Sequence, residues 1–355
     1  MTIASNPLLQ NHPHAQLDGE RQTVTRLIRA VAQAGVRTDP MSIVNFYVAL
    51  KSKPLAILIG PAQSGKIALV QSLAQVLTGG DPLRCQMMVG HAWWAGASRE
   101  VALFTEAQTR FNTDKILALI EEAWKPENVN RVFLACLTRI SPAELMGFFS
   151  EVAFQLRHGQ IMRLPTTHLS EPIPYPPNLF LVGTMDTTRL DESDEDLLSM
   201  TTIIQWQADE ELEAALPSSP VRALSNGDSE FLRSLVRDER AARLKLQHVL
   251  GKRLPAVWPL IRIETVLRRH VVDLPPSAPG EAMIYLANAW TRRGPGLFDL
   301  SPTTNLEIAL DLSIAQSVLP HAQASIQRSP ALREELRATL NGKFPRSAAL
   351  LESLG

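Results

Sequence analysis

The sequence predicts an α/β protein, a parallel sheet flanked by helices, followed by an all-helical segment. Three observations carry this. An apolar run enters a glycine-bounded loop and then a helix, at Leu55-Ala-Ile-Leu-Ile-Gly-Pro-Ala-Gln-Ser-Gly-Lys-Ile. Up to about residue 208, strand-length apolar runs alternate with helix-period segments, the pattern of parallel strands covered on both faces. Beyond about residue 229 the strand-like runs stop and helical periodicity takes over.

Taken in order, residues 1–18 are polar, with Pro and His, and read as a loose tail. Residues 20–34 set Val24, Leu27, Ile28 and Val31 on one helical face, and Asp39-Pro40 opens a second helix through Ala49. Leu55–Ile59 is the first strand, and the helix after its loop spans 68–77 before Gly79-Gly80. Asn112-Thr113-Asp114 is a cap signal for a helix over 115–124, and 131–137 is an apolar strand. Ser141-Pro142-Ala143-Glu144 is a capping box with Pro at the first helical position, predicting a helix to about Arg157. A Pro-rich connector, 172–177, leads into a strand over 178–185. Residues 209–228 are acidic, then rich in Ser, Pro and Gly, and read as a linker. Amphipathic helices follow at 280–293 and 305–319, and Ser329-Pro330 caps a final helix that stops at Asn341-Gly342. The organisation is therefore a tail (1–18), an α/β domain with N-terminal helices (19–208), a linker (209–228) and a helical domain (229–355).

Composition bounds the function classes. The chain has 355 residues, 45% hydrophobic and 20% charged, with a net charge of −1. That charge gives no global pull toward nucleic acid or membrane. Two cysteines, Cys85 and Cys136, give neither a disulfide framework nor metal spacing, as suits a reducing cytosol. No leader peptide is visible, and no apolar run approaches bilayer length. The expectation is a cytoplasmic protein without a membrane contact.

The loop carries the chemistry. Gly60, four residues, Gly65 and Lys66 have the spacing of a phosphate loop, whose next position is Ser or Thr; here it is Ile67. The nucleotide-binding candidates are Gly60, Ala62, Gln63, Ser64, Gly65, Lys66 and Ile67. Backbone N–H groups after Pro61 would curl around a polyphosphate, and the following helix would aim its positive end at it. Lys66 would reach the outer phosphates of ATP or GTP. The hydroxyl that would hold Mg²⁺ is missing.

Around the loop, four segments occur in order: Lys53-Pro54 before it, then His91-Ala-Trp-Trp94, Pro176-Pro177-Asn178-Leu-Phe-Leu-Val-Gly-Thr-Met-Asp186, and 305–320 with Phe344-Pro345-Arg346-Ser347 after it. With the loop, they resemble the McrB-like group of AAA+ nucleotide hydrolases, the motor type of methylation-dependent restriction systems, over about residues 40–355. The resemblance implies a AAA+ phosphate-loop domain, a helical lid, ring neighbours of the same or another chain, a nuclease partner, and a bacterial or archaeal defence setting. The departures fall on chemistry. Aligning Thr138-Arg139 with the family's Asn-Arg puts Ala135 and Cys136 where the metal-holding Asp and water-positioning Glu belong. The sensor Asn is Asp186, and Ser193-Asp-Glu-Asp-Leu-Leu-Ser-Met200 lacks the finger Arg. These departures imply a non-hydrolysing or weakly nucleotide-binding assembly or regulatory subunit.

Two other readings remain open. Asp186, the catalytic candidate, with Asp191 and Glu192 nearby, could form a rebuilt Mg²⁺ site in an active hydrolase. Residues 232–270, with ten Arg or Lys against three Asp or Glu, could contact nucleic acid, although a solvated or intersubunit face explains the spread better. Trp93 and Trp94 read as core, the acidic residues 191–196 as an exposed loop, Cys136 as a small buried hydrophobe, and the eight histidines lack ligand spacing.

Overall fold

The computed structural model describes residues 19–90, 115–140, 163–164, 173–186, 198, 201–207, 227–251, 257–340 and 342–354. The expected tail, Trp93 and Trp94, the capping box at 141–144 with its helix, the acidic loop with Asp191 and Glu192, and most of the linker lie outside them.

Five parallel strands form one sheet: β1 (Leu55–Ile59), β2 (Cys85–Val89), β3 (Phe133–Thr138), β4 (Leu179–Met185) and β5 (Thr201–Gln205). Their order in space is β2-β3-β4-β1-β5. β1 lies between β4 and β5 and is buried along its whole length, which is why it reads as an unbroken apolar run rather than an alternating one. A separate two-residue antiparallel ladder joins Arg163–Leu164 to Ile173–Pro174.

The period-two alternation of the strands sorts their side chains onto two apolar layers. Ala56, Leu58, Cys136 and Val182 share a core with helices α1 (Gly19–Gln33), α2 (Pro40–Ser52) and α3 (Lys66–Thr78). Ile57, Ala135, Leu181 and Met185 face the other way, onto Ile116, Leu119, Ile120 and Ala123 of α4 (115–123). Asp39 caps α2 by accepting from Met41 N–H, with Pro40 at the first helical position. Gly79 ends α3 in the left-handed conformation.

From residue 227 on, the described residues are mostly helical: α5 (Gly227–Arg233), α6 (Glu239–Leu250), α7 (Trp258–Arg269), α8 (Ala278–Asn288), α9 (Pro302–Ser313), α10 (Leu319–Arg328), α11 (Pro330–Leu340) and α12 (Pro345–Ser353). The apolar cluster on the α1–α3 side continues into these helices, with α8 packed on α2 and α5 on α1 and α3. α5 starts inside the stretch expected to be linker. The helix expected over 305–319 is broken: α9 passes through a π-helical turn (Ile314–Val318) into α10. The helix ending at Leu340 is not the last. Pro345 starts α12, and Asp311 of α9 caps it by accepting from the N–H groups of Arg346 and Ser347.

One buried polar knot ties the two halves. Lys51 at the end of α2 pairs with Glu20 of α1, and both are almost fully buried. Glu20 also accepts from the Ser234 hydroxyl, and Lys51 donates to the carbonyl of Asn288 at the end of α8. Lys51→Ala should lower the unfolding free energy by about 3–5 kcal/mol, because it removes one partner of a buried ion pair. Lys51→Met combined with Glu20→Met should recover most of that loss. Urea unfolding curves of the single and double variants measure both.

Candidate phosphate-binding loop

The loop is held at both ends by groups that leave no room for side chains. A Cβ on Gly60 would lie 2.1 Å from the carbonyl oxygen of Trp206. Gly65 has φ 84° and a Cβ there would meet Val36 at 2.7 Å, so this position requires glycine twice over. Trp206, fully buried just past β5, donates its N–H to Ile59 O and its indole Nε1–H to Ser64 O at 2.8 Å. The segment carrying Val36 is fixed in turn by Thr38, whose hydroxyl donates to Gln207 O. Gln63 takes φ 62° inside the loop, a left-handed conformation that a non-glycine residue adopts at some cost.

Lys66 opens α3 and is 4% exposed. Its ammonium donates to Gly60 O at 2.9 Å, to Pro61 O at 2.5 Å and to Ser64 Oγ at 3.3 Å. It also pairs with Asp186 Oδ1 at 3.1 Å. The pairing follows from topology. Met185 ends β4 level with Ile59 of β1, so the next residue, Asp186, stands beside the loop. Asp186 Oδ2 faces Arg139 Nε at 3.5 Å. Arg139 sits at the end of β3 with φ 56°, and its N–H donates to Thr184 Oγ1 on β4. Two cations thus enclose one carboxylate, a formal charge of +1.

Of the predicted site residues, the structure brings Gly60, Ser64, Gly65, Lys66 and Asp186 together. Ala62 and Gln63 form the exposed crest of the loop, and Ile67 points a partly exposed apolar chain from the first turn of α3. Ala135 and Cys136 require a correction. Cys136 is level with Val182, and Val182 with Ala56, three residues short of Ile59. Both side chains are fully buried in mid-strand, on opposite faces of the sheet. β3 runs on through Thr138, so Thr138 and Arg139 occupy the strand end where the acids were expected. The Thr138 hydroxyl is itself committed, donating to Met88 O. Burial holds the Cys136 thiol neutral, far above the ordinary thiol range, and pushes Cys85 up to about 11, so neither is an activated nucleophile.

This residue set suits an anion better than a metal ion. The ammonium and guanidinium can face phosphate oxygens, and the first-turn N–H groups of α3 have no intrahelical acceptors. For Mg²⁺ the hydroxyl position is Ile67, the end of β3 offers no carboxylate, and both oxygens of Asp186 face cations. Among the described residues, no group of three or more His, Cys, Asp or Glu is placed to hold a metal ion.

The basic stretch of 232–270 is partly spent inside the protein. Arg237 donates to Pro177 O and stacks over Phe180, Lys245 donates to Trp290 O, and Arg269 pairs with Glu335. Arg243 and Arg268 pair with Glu239 and Glu264 one helical turn away.

No protein-family model and no curated protein matches the chain. Among solved structures, that of C. elegans PCH-2 aligns with 89% of this chain and 71% of that chain, at 12% identity and a TM-score of 0.29. So loose a superposition places no residue.

Ala135→Asp and Cys136→Glu should not create a metal site. Each puts a carboxylate into a sealed apolar layer, at a cost of several kcal/mol or more, and should yield unfolded or insoluble protein. Thermal melting and soluble yield check this. A stable double variant that gained Mg²⁺-dependent nucleotide affinity would show that these positions reach the loop after all.

Proposed function

We propose that the chain is a phosphate-loop module of the AAA+ type that does not hydrolyse nucleotide and acts as an assembly or regulatory subunit. One observation carries the reading: the loop keeps its fold while its lysine is paired with Asp186 and the neighbouring strand ends in Thr138-Arg139. Phosphoryl transfer on this scaffold needs a metal held beside the outer phosphates and a group that orients the attacking water. Ile67, Thr138 and Arg139 supply neither. The sheet order supports the family reading, since it sets β4 between β1 and β3 and so brings the family's sensor position to the loop.

The finer parts of the reading follow from the sequence resemblance. The segment 19–208 is the AAA+ domain, 209–228 the linker and 229–355 the helical lid. The chain stands in a ring beside copies of itself or an active AAA+ partner, in the cytoplasm of a prokaryote, within a McrB-like restriction system that includes a nuclease. A subunit with a silent site still offers the surfaces on which its neighbours' sites are built.

Purified protein should release phosphate from ATP or GTP in Mg²⁺ no faster than Lys66→Ala does. It should also assemble at micromolar concentration, or co-purify with an ATPase or nuclease, by analytical ultracentrifugation and affinity capture. Turnover that disappears in Lys66→Ala would overturn the silent-site reading. If Asp186→Ala alone removed that turnover, a rebuilt metal site would replace it. Salt-sensitive DNA or RNA binding by an isolated monomer would point to a nucleic-acid adaptor instead.

A further inference from the structure

The ion pairs at the loop carry a consequence for the ligand. Lys66 is a deeply buried cation whose only anionic partner among the described residues is Asp186, and Asp186 reaches it from the strand next to β1. The carboxylate oxygen thus takes up the one anionic contact of the ammonium among the described residues. The opposite carboxylate oxygen faces Arg139, whose side chain is half exposed.

We propose that Asp186 is a built-in stand-in for phosphate at Lys66, and that the loop takes a polyphosphate anion without magnesium when the Lys66–Asp186 pair opens, with Arg139 supplying the second cation. This rests on the reading of the chain as a phosphate-loop module. Three arguments support it. First, the exchange is of like for like: one anionic oxygen leaves the ammonium and another replaces it, so Lys66 is never left buried without an anionic partner. Second, Arg139 is a permanent charge with a planar fork of donors suited to phosphate oxygens, and the left-handed backbone bonded to Thr184 aims it at the site. Third, a cluster of formal charge +1 with Ile67 at the hydroxyl position attracts a bare polyphosphate more strongly than one already neutralised by a divalent cation.

The sign of the magnesium effect is therefore reversed relative to a hydrolysing phosphate loop. Mg²⁺ removes free polyphosphate from solution and gains no protein ligand, so it should weaken binding. Asp186 is a competitor in this account, so removing its charge should strengthen binding.

The test uses the full chain, with tripolyphosphate and ATP as probes, by isothermal titration calorimetry in EDTA and in excess Mg²⁺ at matched ionic strength. Wild type should bind both probes in EDTA and bind them more weakly in Mg²⁺. Asp186→Asn should tighten binding in EDTA by roughly tenfold, Arg139→Gln should weaken it by a similar factor, and Lys66→Ala should abolish it. Circular dichroism confirms that each variant folds, and Asp186→Ala serves if Asp186→Asn does not. Binding that tightens in Mg²⁺, or that weakens or stays constant in the Asp186 variants, would overturn the proposal. So would the absence of binding by wild type and the Asp186 variants at millimolar probe. Tighter binding in Mg²⁺ without turnover refutes only this inference, whereas turnover dependent on Lys66 refutes the silent-site function.

Discussion

The structure around the loop depends on finding partners for one buried cation. Lys66 stands at the first position of α3, where the positive end of the helix already makes a second cation unwelcome. A buried ammonium must be paired and hydrogen-bonded, and this one is satisfied by two loop carbonyls, a hydroxyl and a carboxylate. Those carbonyls point inward only because the chain turns sharply at Gly60, against the Trp206 carbonyl, and recrosses at Gly65 in the left-handed conformation. The carboxylate is available only because β4, rather than β3, lies beside β1. Loop shape, strand order and the identity of residue 186 are one arrangement.

In the proposed reading, the residues that would make such a loop an engine are replaced by others that suit the same places structurally. Ile67 continues the first turn of α3. Thr138 ties the end of β3 to β2 through Met88, and Arg139 balances Asp186. The apolar layers on both faces of the sheet are intact, and the Lys51–Glu20 knot fastens the helical half to the same scaffold. Among the described residues, an intact frame thus surrounds a loop with no cluster of metal-ligating side chains.

Much of the fold was legible in the sequence. The apolar run Leu55–Ile59, the glycine spacing and the Asp39-Pro40 cap located β1, the loop and α2 because each is a local signal. Strand ends were not legible. Residues 132–137 are uniformly apolar, and aligning Thr138-Arg139 with the family's Asn-Arg sets the expected acids at 135 and 136, inside β3 rather than at its end. β2 and β5 give no clear signal, because Cys-Gln-Met-Met-Val and Thr-Thr-Ile-Ile-Gln are neither unbroken apolar runs nor strict alternations. α12 was missed because Asn341-Gly342 reads as an ending, while its cap comes from Asp311, far away in sequence. In the site, Gly60, Gly65 and Lys66 were legible from spacing. The indole of Trp206 on Ser64, 142 residues apart, and the placing of Arg139 against Asp186 are tertiary facts that no local pattern encodes.

The central claim is that Asp186 holds the Lys66 ammonium in place of a phosphate. Its most direct measurement is the Lys66 Nζ signal in ¹⁵N-lysine-labelled protein, assigned by its loss in Lys66→Arg. The account predicts a slowly exchanging ammonium resonance that shifts in Asp186→Asn and shifts again on adding tripolyphosphate in EDTA. A resonance unmoved by Asp186→Asn would show that the carboxylate does not hold the lysine and would contradict the account.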